Sequence, residues 1–185
     1  DNQLLQASTQ VGQQIEVEGN QFYYTPEESS KLGYFLPVGV HKAIIQISDE
    51  KGHIVHTHMR EAEGKGPLES KRYTYEFNGK PNTPAGERIA QEGNLPQGKY
   101  TVKVLALDHK NKQILDPLTQ QHITIPTSVS GRMTGGERRG GETILKIGEV
   151  TYPISHLISI QQENNASKND NETLQHLVQI LKENL

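Results

Sequence analysis

The sequence predicts an all-β chain in which an antiparallel sandwich is inserted into a discontinuous small β-barrel, with short helices at the termini. Three observations carry this. Short runs of alternating apolar and polar residues recur at near-regular spacing. Gly, Asn and Pro clusters separate them, and no helical period intervenes. After Pro126 the texture changes to a few small strands that cannot bury a core alone, so they need the strands at the other end of the chain. Composition agrees. Only 32% of the 185 residues are hydrophobic, which suits thin β layers better than one thick core.

Asn2–Gln10 reads as the end of a helix, stopped by Gly12. In Gln13–Gly19, Ile15 and Val17 alternate with Glu16 and Glu18, the period of a half-buried strand. Phe22–Tyr24 continues as a second strand after the Gly19-Asn20 turn. Thr25–Lys31 is a polar linker. Tyr34–Leu36 is a short strand before Pro37. Ala43–Ser48 and Ile54–Met59 form a hairpin about the Asp49-Glu50-Lys51-Gly52 turn. Glu61–Ser70 is a charged, Gly-rich loop. Tyr73, Tyr75 and Phe77 alternate with Thr74 and Glu76 in another strand. Lys80–Gln97 carries too much Pro and Gly for a central strand or a helix interior. Lys99–Leu107 places Tyr100, Val102, Val104 and Ala106 on one face. Gln121–Ile125 is the last strand of the insert, which spans about 95 residues, close to an immunoglobulin-like domain.

Val129–Met133 is read as a strand and Gly135–Gly141 as a glycine-flanked loop. Thr143–Ile147, Gly148-Glu149 and Val150–Tyr152 form a tight hairpin, and Ile154–Ile160 follows Pro153. The resulting division is a barrel from 9–30 and 127–160, a sandwich from 31–126, and a polar linker with a C-terminal amphipathic helix from 161–185. In that tail Asp170 or Asn171 can cap a helix beginning near Glu172. Leu174, Leu177, Val178, Leu181 and Leu185 make an apolar stripe at helical offsets. A helix of that length is marginal alone, so the stripe reads as an intramolecular latch or a self-association face. With Arg138 and Arg139 of the glycine loop, these are the candidate protein-contact residues.

Chemistry-bearing patterns are sparse. There is no Cys and no Trp, which excludes disulfide scaffolds, zinc ribbons and thiol nucleophiles. The formal charge of −3 provides no basic field for nucleic acid. The Gly135–Gly141 run lacks the Lys-Ser/Thr ending of a phosphate loop, and Ser130-Gly131 lacks the first glycine of a nucleophile elbow. His53, His56 and His58 could hold a metal, but solvated histidines on a strand face are the commoner outcome. Asn165-Ala166-Ser167 and Asn171-Glu172-Thr173 match the glycosylation pattern, which an Asn-rich polar tail produces by chance. No stretch nears the roughly 18 apolar residues of a membrane helix, and no signal peptide is visible. Beginning at Asp1, the chain reads as a fragment or a processed product. No catalysis, cofactor or metal is expected. The alternative function is an extracellular glycan- or protein-binding sandwich, for which Tyr73 and Tyr75 would be the solvent-facing platform.

Four stretches, in order, resemble the bacterial flagellar hook-capping proteins, also called hook assembly scaffold or basal-body rod modification proteins. They are Leu5–Gly12 followed by Ile15-Glu16-Val17; the Ala43–His56 hairpin; Phe77-Asn78-Gly79-Lys80 with Leu95-Pro96-Gln97-Gly98-Lys99-Tyr100; and Val129-Ser130-Gly131 with Leu145, Ile147-Gly148 and Val150. Phe77 and Asn78 stand where the family usually has Trp and Asp, Pro81–Glu92 lengthens a short connection, and the tail after Ile160 is an extension. The resemblance implies a Tudor-like barrel interrupted by a fibronectin type III-like sandwich. It also implies a transient, non-enzymatic cap at the growing hook tip, outside the cell after export. Its partners would be further copies of itself, hook subunits and the hook-length-control protein.

Overall fold

The computed structural model describes residues 11–161 and 168–183, the latter with side chains from Gln175 onward. The expected N-terminal helix end before Gln10 and the Asn165 glycosylation pattern lie outside the described residues. The chain is all-β, as expected. Among the described residues, twelve strands are joined by one short helix (Pro84–Ile89), one 3₁₀ turn (Ile154–His156) and the C-terminal helix Lys168–Glu183. The strands are β1 Gln14–Glu18, β2 Gln21–Tyr24, β3 Ser30–Leu36, β4 Lys42–Ser48, β5 Ile54–Glu61 and β6 Lys71–Phe77. They continue with β7 Gly98–Leu107, β8 Thr127–Arg132, β9 Gly135–Arg139, β10 Glu142–Ile147, β11 Val150–Pro153 and β12 Leu157–Gln161.

Three sheets result, in the orders β12-β1-β8-β3-β6, β2-β7-β4-β5 and β11-β10-β9. Among the described residues all ladders are antiparallel, and β8 holds the assembly together because it pairs with both β1 and β3. The chain then turns from β8 into β9. Met133 N–H bonds the Gln13 carbonyl at 2.9 Å, and Thr134 N–H bonds the Lys146 carbonyl at 2.9 Å. One bent stretch of backbone therefore belongs to two sheets, which is how a small barrel turns its corner.

β2 departs from expectation. It pairs with β7, Phe22 opposite Tyr100, in the four-stranded sheet and not with the barrel strands. The reason is aromatic burial. Phe22 and Tyr24 point the same way and meet Phe77 of β6 and Tyr100 of β7, with ring centroids 5.5–6.2 Å apart. Each fully buried ring is worth roughly 1.5–3 kcal/mol. Two aromatic side chains at alternate positions find that depth only between the two sandwich sheets.

Other differences have equally local causes. Gly135–Arg139, expected as a loop, is strand β9, paired with β10 from Gly135–Lys146 to Arg139–Glu142. Only Gly140 and Gly141 form the turn, both at positive φ (59° and 83°), where a Cβ is strained. Gln121–Ile125, expected as a strand, makes only the isolated bridge Leu115–His122. Ile154–His156 is a 3₁₀ turn ahead of β12. Within Lys80–Gln97 a six-residue helix forms after all, because Thr83 caps it, its Oγ1 accepting from Gly86 N–H at 3.0 Å, and Pro84 sits in the first turn. The C-terminal helix begins at Lys168, four residues before the expected start.

The buried apolar side chains form one connected cluster, from Ile15 and Val17 in β1 through the sandwich to Val178 and Leu181 of the C-terminal helix. The sandwich end of it is pinned by a tyrosine corner. The Tyr100 hydroxyl donates to the Pro96 carbonyl at 2.6 Å, four residues back. Burial pushes the Tyr100 phenol up to about 12, so it stays a donor at physiological pH.

Candidate interaction site

The outward face of the five-stranded sheet carries a charged cluster that the alternation of β1 does not announce. Glu16 is only 5% exposed although Ile15 and Val17 on either side are also buried. Arg72, two strands beyond β8 on β6, reaches over β3 to ion-pair with it, Nη1 lying 2.9 Å from Oε1. Ser128 Oγ donates to Glu16 Oε2 at 2.8 Å and accepts from Arg72 Nη2 at 3.0 Å. Both carboxylate oxygens thus have partners, as a buried charge requires. The crossing point on β3 is Gly33. A Cβ there would overlap Ser128 Oγ and lie 2.6 Å from Arg72 Nη2. A glycine inside a strand marks such a close approach, and Gly33 was the available signal in the sequence.

Beside this cluster opens a cleft of about 820 Å³ at the junction of barrel and sandwich. One wall is β7 from Val102 to Leu105. The other is the chain from His122 to Thr127. Phe35, Arg72, Glu18 and Ser128 come from the five-stranded sheet, and Ile158 from β12. Phe35 is 46% exposed in this setting.

The predicted contact residues fall in two other places. Val178 (4% exposed) and Leu181 (1%) are buried, and Leu177 is half-buried. Their helix packs on β12 and the 3₁₀ turn. The side chains of Leu174 and Leu185 lie outside the described residues. Arg138 and Arg139 sit on edge strand β9 at its turn, where Arg139 ion-pairs with Glu137. The structure does not bring the arginines and the helix stripe to one surface element.

His53, His56 and His58 each meet a different set of neighbours. His56 is buried. Its Nδ1 faces the Lys80 carbonyl at 2.6 Å and its Nε2 the Tyr75 hydroxyl at 2.5 Å. A carbonyl only accepts, so Nδ1 carries the proton and Tyr75 donates to Nε2. His58 stacks on the same Tyr75 ring at 4.4 Å, and His53 is tied to Asp49 at 3.1 Å. Expected as solvated strand-face residues, His56 and His58 instead serve Tyr75, and each is held below the usual histidine value, chiefly by burial.

Among the described residues the arrangement offers a cleft and an exposed sheet edge. No protein-family model matches the sequence, and no curated protein matches it. Solved structures do. FlgD from Xanthomonas campestris, described as hook capping and essential for flagellar assembly, superposes with a TM-score of 0.61 at 16% identity, over 86% of this chain and 99% of that one. FlgD from P. aeruginosa superposes with a TM-score of 0.59 at 18% identity, over 83% and 99%. The chain has the FlgD fold. Both FlgD chains are spanned almost whole, so the junction and the inserted sandwich belong to the shared fold. Among the described residues no helix is long and apolar enough to cross a membrane.

Proposed function

We propose that the protein is a non-enzymatic scaffold of the flagellar hook, forming a cap at the growing tip and assisting polymerisation of exported hook subunits. One observation carries this reading: the FlgD fold extends over barrel and inserted sandwich together, across 99% of each of the two FlgD chains. The ordered sequence motifs add support, since the Leu95–Tyr100 stretch builds the tyrosine corner of that sandwich. The proposed partners are further copies of the chain, hook subunits and the hook-length-control protein, and the proposed location is the hook tip. The Gly135–Arg139 edge with Arg138 and Arg139, and the C-terminal helix, are proposed contact elements. The proposed organisation is the two-unit one, with 21–24 moved from the barrel to the sandwich.

The glycan-binding alternative needed Tyr73 and Tyr75 to face solvent. Tyr73 is buried and stacked on Tyr34 at 5.7 Å, and the Tyr75 hydroxyl is taken by His56. Tyr73 and Tyr75 therefore do not form the shared solvent-facing pair that reading required.

The test is gene deletion followed by electron microscopy of the cell surface. Loss of hooks, restored by the wild-type gene, is the expected result. Hooks of normal form and number in the deletion strain would refute the reading.

A further inference from the structure

Strand β7 is ten residues long and its neighbour β2 only four. β2 covers the β7 edge from Gly98 to Thr101. Val102 N–H, bonded to the Asn20 carbonyl at 2.8 Å, ends that stretch. Four residues on, Ile114 N–H reaches the Ala106 carbonyl at 3.0 Å. Val102 and Ala106 therefore aim backbone groups at this edge. Successive residues of a strand aim theirs at alternate sides, so the N–H and C=O of Val104 point there too. Among the described residues neither meets a partner.

The chain that runs past this edge is His122–Pro126, and it forms no ladder with β7. Ile123 N–H goes to the Ile114 carbonyl (3.0 Å), and the Pro126 carbonyl accepts from Phe35 N–H (3.1 Å). The junction cleft separates the two. Leu105, Ile123, Ile125 and Phe35 make it largely apolar. Lys103, Glu18 and Arg72 also line it, the charge of Arg72 being met by Glu16.

We propose that this cleft takes an extended polypeptide segment of another protein, which adds as a strand to the free edge of β7 at Val104. An unpaired amide and carbonyl on one residue, facing a partly dry cleft, call for a donor and an acceptor at strand spacing. An extended backbone supplies both. Alternate side chains of the incoming strand enter the apolar walls. Affinity from main-chain bonds makes such recognition tolerant of sequence. The proposal deepens the hook-assembly reading and rests on it only for the partner's identity as an exported subunit.

Residue-resolved amide hydrogen exchange on the full chain tests it. In the free protein the Val104 amide exchanges about tenfold or more faster than those of Val102 and Leu105, which are bonded. A saturating acetylated heptapeptide of alternating valine and glutamate slows Val104 by about tenfold. The same peptide N-methylated at alternate residues leaves Val104 unchanged. Phe35→Glu, on the exposed wall, keeps the free-state pattern and abolishes the peptide effect. A Val104 amide already slow in dilute free protein would overturn the proposal, because the edge would be paired. Protection that grows with protein concentration alone would overturn it in favour of a second copy. Equal slowing by both peptides, or none by either, would also overturn it. In cells, hooks lost on deletion but normal with Phe35→Glu would remove strand addition and leave the hook-assembly reading standing. Normal hooks in the deletion strain would remove that reading and leave the exchange result as it is.

Discussion

Arg72 reaches Glu16 across a strand that carries no side chain at the crossing, Gly33. Two substitutions separate the steric and electrostatic parts of this relationship. Gly33→Ala puts a Cβ into the guanidinium and should cost about 1–3 kcal/mol, the range for overpacking. Arg72→Met leaves Glu16 buried with Ser128 as its remaining partner. Breaking a fully buried pair costs about 3–5 kcal/mol; Arg72 is 45% exposed as a side chain, so about 2 kcal/mol is expected here. Adding Glu16→Gln to Arg72→Met should recover part of the loss. Urea denaturation of the wild type, Arg72→Met, Glu16→Gln and the double variant measures the coupling, and strictly additive losses would mean that the pair does not interact.

The Tyr75 cluster makes stability depend on acid. His56 and His58 are both held below the ordinary histidine value of about 6.5. Burial is the larger cause for each, and for His58 the Arg60 and His56 charges add to it. The unfolded chain therefore takes up these protons at higher pH than the folded one. Their contribution is complete above about pH 6.5 and is lost as pH falls through the lowered folded values. Unfolding free energies between pH 5 and 8 at fixed salt should decline below about pH 6.5. His56→Gln should flatten that decline, and an unchanged slope would exclude His56 as its source.

The tyrosine corner gives a narrower test. Tyr100→Phe keeps the ring against Phe22 and Phe77 and removes only the donor to Pro96. A net hydrogen bond is worth about 1 kcal/mol, and thermal unfolding should show a loss of that size with an unchanged near-ultraviolet spectrum. A collapsed aromatic signal would instead mean that the hydroxyl positions the ring.

The strand alternation in β4, β6 and β7 was legible because each buries one face, so period and environment coincide. Three features were hidden for physical reasons. Glu16 looks solvated in sequence, since its cover comes from Arg72, 56 residues away. β2 looks like a barrel strand, since nothing local says that Phe22 will meet Phe77. The Gly135–Arg139 stretch looks like a loop, since its ladder to β10 is set by the turn at Gly140-Gly141 and not by side-chain burial. Gly33 could have been read as a close-approach position, but the residues that approach it could not.

The C-terminal helix yields the last prediction. Its stripe was visible at helical spacing, while the surface it covers was not, because β12 and the 3₁₀ turn lie before the linker. Val178 and Leu181 are buried within the same chain, and a helix of this length does not hold its shape unaided. Leu181→Ala should therefore cost about 2–5 kcal/mol if the helix unfolds together with the barrel. If it detaches first, far-ultraviolet helical signal should fall before the aromatic signal of the sandwich changes. In both cases the wild-type helical signal should be independent of protein concentration, since the most buried positions of the helix are filled internally. A helix signal that appears only with self-association would show that the stripe belongs to an interface between copies, and Leu181→Ala would then shift the association equilibrium and leave the monomer's stability unchanged.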